Sequence, residues 1–256
     1  MNEALRLALT EISTSSNPQV VLTALCDPLT IAETFDTLAL PPTSFISMSY
    51  LHTPLFPDLV RGLCHRLWDN FIQMGNGNAL RLLSEDDLEE RSDNLVVQRA
   101  IEALVPLSKK GDPQLALLID AYCTDGCTPA ERRDLGLSRA LDRQDQLDLL
   151  SILMREQVWP RRLLQRGTFQ GMKYPPFIMH LDHVERLVHC APLDVAQFTS
   201  ALCYLIDAMG ERFTLWLNAV GDTPVLLQEI EQAICPHFVG YPLHNLLLID
   251  QEKHEL

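Results

Sequence analysis

Three places in the chain set a cysteine beside or near a histidine: Cys64–His65, His189–Cys190 and Cys235–His237. A thiol becomes a nucleophile when a base within hydrogen-bond reach helps to form the thiolate. Adjacent residues on a helix point about 100° apart, so Cys64 and His65 cannot activate each other. An enzyme built on these residues therefore needs Cys190 or Cys64 to meet a histidine brought in by the fold.

"HLDHVERLVHC" gathers His180, Asp182, His183, Glu185 and His189 in one run. Read as a helix, it places His180 and His183 on one face, where two imidazoles can share a metal. A closed site needs two more ligands, and the His-Glu-x-x-His spacing of zinc hydrolases is missing. Cys123 and Cys127 in "CTDGC" form half of a zinc motif with no second pair to complete it. "GNGNAL" offers Gly75 and Gly77 but no lysine after them, so it is not a phosphate-cradling loop. "SEDDLEE" reads as a solvated helix start rather than a catalytic carboxylate pair. From these residues we expect no catalytic residue, no metal and no cofactor.

One segment departs from its surroundings. "REQVWPRRLLQRGTFQGMKYPPF" carries Arg155, Arg161, Arg162, Arg166 and Lys173 against Glu156 alone. Trp159, Phe169 and Tyr174 lie among these charges. Trp, Tyr and Arg dominate binding hot spots. Trp159, Arg161, Arg162, Arg166, Lys173 and Tyr174 are thus the expected partner-binding residues, and the partner is another protein.

The rest of the composition bounds the alternatives. The 256 residues carry a net charge of −14, with a pI near 4.9. Such a charge repels phosphate backbones and anionic bilayers, so nucleic-acid binding is disfavoured except through the basic segment itself. The opening "MNEALRLALTEIST" is not a secretory signal, because Glu3 replaces the usual positive charge and the apolar residues are spaced. The closing "EKHEL" reads as a polar terminus. Seven cysteines, an odd number set mostly among Leu, Ala and Val, suit free thiols in a reducing cytoplasm.

What elements would position these groups? "FPDLVRGLCHRLWDNFIQMG" and "LDVAQFTSALCYLIDAMG" repeat apolar residues at helical spacing. Thr128–Pro129 and Thr223–Pro224 are helix starts, and Gly75, Gly111, Gly126, Gly210 and Gly221 are stops. Few segments alternate apolar and polar residues as a half-buried strand does. "QLALLIDAY" from Gln114, "QLDLLSILM" from Gln146 and "HLDHVERLV" from His180 begin 32 and 34 residues apart. A helix closing on Gly-Asp, followed by a Leu-rich helix at such a spacing, resembles an ankyrin repeat. "TPLF" from Thr53, "FTLWLNAVGD" from Phe213 and "YPLH" from Tyr241 echo that family's Thr-Pro-Leu-His opening.

These observations predict an all-α chain of stacked helical hairpins, ankyrin-like or solenoidal, with an irregular helical bundle as the alternative. They predict one domain over 1–256, divisible into an N-terminal helical part at 1–92 and a hairpin-repeat part at 93–256. The function they suggest is a cytoplasmic protein–protein interaction scaffold or regulator, of adaptor, chaperone or bacterial-effector type. An enzyme with a noncontiguous Cys/His site is the alternative.

Overall fold

A computed structural model describes residues 17–24, 45–49, 94–100, 102, 128–134, 139, 141–158, 177–220 and 224–247. Its centre is a parallel sheet of five strands: β1 (Gln19–Ala24), β2 (Phe45–Ser49), β3 (Phe177–Asp182), β4 (Phe213–Ala219) and β5 (Leu243–Leu247). Their order across the sheet is β2-β3-β4-β1-β5, and every neighbouring pair runs parallel. Two longer helices accompany them, α3 (Pro192–Met209) and α4 (Pro224–Ile234). The protein is therefore mixed α/β. The expected all-α architecture of ankyrin-like helical repeats does not hold.

The strands β1, β3 and β4 escaped a search for alternation because they are buried on both faces. All six residues of β3 and all seven of β4 are buried. Central parallel strands read as near-continuous apolar runs, here "FIMHLD" and "FTLWLNA". Branched and aromatic side chains suit the pleated surface. Several of the pieces that suggested a repeat belong to this sheet, whereas "QLDLLSILM" from Gln146 is helical, within Arg143–Val158. His180 lies inside β3, "FTLWLNA" is β4, and "YPLH" leads into β5. Gln114 and Thr53 lie outside the described residues.

Helix punctuation was more legible. α3 starts at Pro192, which has no N–H to leave unpaired, and ends at Gly210. That glycine has φ 69°, a left-handed conformation that costs it little, and its N–H reaches the Ile206 carbonyl at 2.9 Å. Val195, Phe198, Leu202, Leu205, Ile206 and Met209 form the buried stripe of α3. Each large side chain so buried contributes about 1.5–3 kcal/mol. α3 packs on β4 and on α4, and α4 packs on a 3-10 turn, Val184–His189, that follows β3.

The chain divides into two compact units. One joins Met1–Phe56 to Tyr174–Leu256 and holds the sheet; the other is the insert Pro57–Lys173. In the insert, helix α1 (Pro129–Asp134) precedes α2 (Arg143–Val158). α2 opens with a reciprocal cap: Asp142 accepts from the Asp145 N–H at 3.0 Å and Asp145 from the Asp142 N–H at 2.9 Å. The Asp145 side chain is almost fully buried and also binds Arg139 with both nitrogens and the Asn94 amide at 2.7 Å. Among the described residues no helix is long and apolar enough to cross a membrane.

Candidate functional site at the carboxyl edge of the sheet

β1 and β4 are neighbours, yet the strand after β1 lies at one edge of the sheet and the strand after β4 at the other. Open parallel sheets bind ligands outside the carboxyl ends of their strands where the winding reverses in this way. At that point three apolar runs close on polar residues: Thr23 in β1, Asn218 in β4 and Asp182 in β3. Thr23 and Asn218 are register partners. All three side chains are buried.

A chain of hydrogen bonds joins them. The Trp216 indole N–H donates to the Thr23 hydroxyl at 2.8 Å. That hydroxyl donates to the Asn218 Oδ1 at 2.7 Å. The Asn218 Nδ2 donates to the Asp182 Oδ1 at 2.8 Å. An indole can only donate, so the Thr23 hydroxyl accepts from Trp216 and its own proton is left for Asn218 Oδ1, much nearer than the Leu217 carbonyl at 3.4 Å.

His183 follows Asp182 with φ 61°, one of two described non-glycine residues in the left-handed region. Holding a histidine there costs on the order of 1–2 kcal/mol. Its Nδ1 lies 3.1 Å from Glu185 Oε1 and its Nε2 3.7 Å from Asp182 Oδ2. The other Glu185 oxygen accepts the backbone N–H of Val220 at 2.9 Å. Glu185 therefore ties the turn after β3 to the turn after β4, and the strained histidine is held between two carboxyl groups.

His180, two residues before Asp182 on the same strand face, is buried. Burial pushes its imidazole down to about 4, although the nearby Asp182 pulls the other way. It is a neutral interior group in a strand, not one of two histidines on a helix face. The premise for sharing a metal between His180 and His183 falls with the helix. Among the described residues no group of three His, Cys, Asp or Glu side chains is arranged to hold a metal ion.

The cysteines with described surroundings are the reverse of activated. Burial, then the charge of Asp194, raises the Cys190 thiol, which donates to the Arg186 carbonyl at 3.4 Å. Burial and Asp207 push Cys203 up to about 11, and burial and Glu231 raise Cys235. Low thiol pKa values mark reactive cysteines, and these move the other way. Cys64, Cys123 and Cys127 lie outside the described residues, as do Trp159, Arg161, Arg162, Arg166, Lys173 and Tyr174.

Sequence inspection quoted Asp182 and passed over Thr23 and Asn218. The signal that finds them is an apolar run of strand length that ends on a polar residue, present three times. No protein-family profile, no curated protein and no solved structure matches this chain.

Proposed function

We propose that this chain is a protein-binding domain without catalytic activity, built on an α/β sheet of the ligand-binding kind whose ligand crevice is closed by its own side chains. One observation carries the proposal. At the winding reversal the Thr23 hydroxyl, the Asn218 amide and one Asp182 oxygen, on three buried side chains, are taken up by hydrogen bonds to one another.

The surrounding sequence supports it. Phosphate-transfer sites of the P-loop kind need a glycine-rich loop and a lysine after a strand, with an aspartate nearby for Mg²⁺. Asp182 has a position suited to the last of these, by analogy at the level of fold alone. The other parts are missing: after β1 the chain runs "LCDPLTIAETF", its first glycine is Gly62 and its first lysine Lys109. The raised thiols argue against the Cys190 enzyme. Free cysteines at Cys190, Cys203 and Cys235 accord with a cytoplasmic setting.

The deciding experiment is titration of the full chain with a fluorescent ATP or GTP analogue and Mg²⁺. We expect no saturable binding up to about 1 mM, the level of a very weak ligand. Saturable binding or turnover refutes the proposal. In the positive arm, cross-linking in the native host followed by mass spectrometry yields a stoichiometric protein partner.

A further inference from the structure

Charge is divided unequally between the two units. Met1–Phe56 with Tyr174–Leu256 holds 16 Asp and Glu against 4 Lys and Arg, a net −12; the insert Pro57–Lys173 holds 18 against 16, a net −2. Nearly all of the protein's −14 thus sits on the sheet unit.

Exposed apolar side chains on that unit are grouped as well. Leu193, Val220 and Val225 are 68%, 39% and 61% exposed. Leu193 is the second residue of α3, Val225 the second of α4, and Val220 directly follows β4. β3 and β4 are parallel neighbours, so the turn that leads from β3 to α3 and the turn that leads from β4 to α4 leave the same edge of the sheet. α4 packs against the 3-10 turn after β3, and Glu185 in that turn holds the Val220 N–H. The three side chains therefore stand on one tied framework at the carboxyl edge. Val239, 83% exposed, lies just before β5 and so at the opposite edge.

We propose that this carboxyl edge, with Leu193, Val220 and Val225 as its apolar contacts, docks a Lys/Arg-rich segment of a partner protein that also carries aliphatic side chains. The proposal rests on the protein-binding function above and names the partner's chemistry. Complementary charge steers association and rejects partners of the wrong sign. A net −12 on one unit disfavours a nucleic acid and a second copy of the same unit alike. The apolar residues supply the short-range contact that charge alone lacks. A framework already tied by Glu185 loses little freedom on binding.

The test uses the full chain and three short labelled helical peptides, made of Lys with Leu, Lys with Ser, and Ser with Leu. The Lys/Leu peptide is expected to bind tightest, and to weaken as salt rises from about 50 to 200 mM. Leu193→Ser with Val225→Ser is expected to weaken that peptide about tenfold, while Val239→Ser changes it less than about twofold. Equal binding of Lys/Leu and Lys/Ser, equal binding of Ser/Leu, or indifference to the double substitution overturns the proposal. Sedimentation velocity of the chain alone is expected to give a monomer. A dimer abolished by the double substitution assigns the edge to a second copy and also overturns it. Nucleotide binding refutes the underlying function whatever the peptides do; loss of peptide discrimination without nucleotide binding removes only the docking surface.

Discussion

Acid should unfold this protein through His180. Its imidazole lies inside β3, opposite Trp216 in the register of β3 with β4. In the unfolded chain a histidine takes up a proton near 6.5, whereas the buried one does so only near 4. Falling pH therefore favours the state that binds the proton, which is the unfolded one. Stability is complete above about 6.5, declines as pH falls toward 4 and levels off below that. The full difference corresponds to about 3 kcal/mol, and the part expressed between about pH 7.5 and 5 is about 2 kcal/mol. That is a large share of the roughly 5–15 kcal/mol that holds a domain together. The assay is urea unfolding at the two pH values, followed by Trp fluorescence and circular dichroism, for the wild type and His180→Gln. The variant will be less stable at neutral pH, since a buried side chain has been exchanged, but its loss between the two pH values should be smaller by about 2 kcal/mol. Equal losses in both proteins would show that His180 is not the acid-sensitive group and that its burial is not what the fold implies.

Three further outcomes can be measured. Asn218→Leu takes a partner from the Asp182 carboxyl and the Thr23 hydroxyl and should cost about 2–3 kcal/mol in urea unfolding; Thr23→Val keeps the shape but takes the hydroxyl from the buried Trp216 N–H and Asn218 Oδ1, and should cost a similar amount. Asp145→Ala removes one arm of the reciprocal α2 cap, the acceptor of the Asn94 amide and one of the carboxylates paired with Arg139, while Asp142 still caps the helix, for a loss of about 1–2 kcal/mol, read by thermal melting of the full chain. At neutral pH, peptide mapping after brief iodoacetamide treatment should find Cys203 and Cys235 largely unmodified in the folded protein and fully modified in urea; fast alkylation of the native protein contradicts their raised pKa.

Local and global signals separated cleanly along this chain. The start of α1 at Pro129, the stop of α3 at Gly210 and the start of α4 at Pro224 were readable because they depend on single residues whose backbone chemistry admits few alternatives. The sheet was not, since a strand buried on both faces leaves no polar period and its apolar run passes for a piece of helix. "HLDHVERLV" illustrates the cost. Its leucines and valines fit a helical stripe, but the first three residues finish β3 and the rest turns through a left-handed His183 into a 3-10 turn. Placing His180 on a helix made it a neighbour of His183 and suggested a metal. Placing it in a strand makes it a neighbour of Asp182 and suggests a proton penalty instead. The candidate site was out of reach for a further reason. Thr23 and Asn218 are separated by 195 residues and meet only because β1 pairs with β4, so no local pattern can join them. Their shared feature, a polar residue closing an apolar run, acquires meaning once the runs are known to be parallel neighbours. The same holds for Leu193, Val220 and Val225: scattered over 33 positions of sequence, they share an edge only because two parallel strands deliver their following helices to the same side of the sheet.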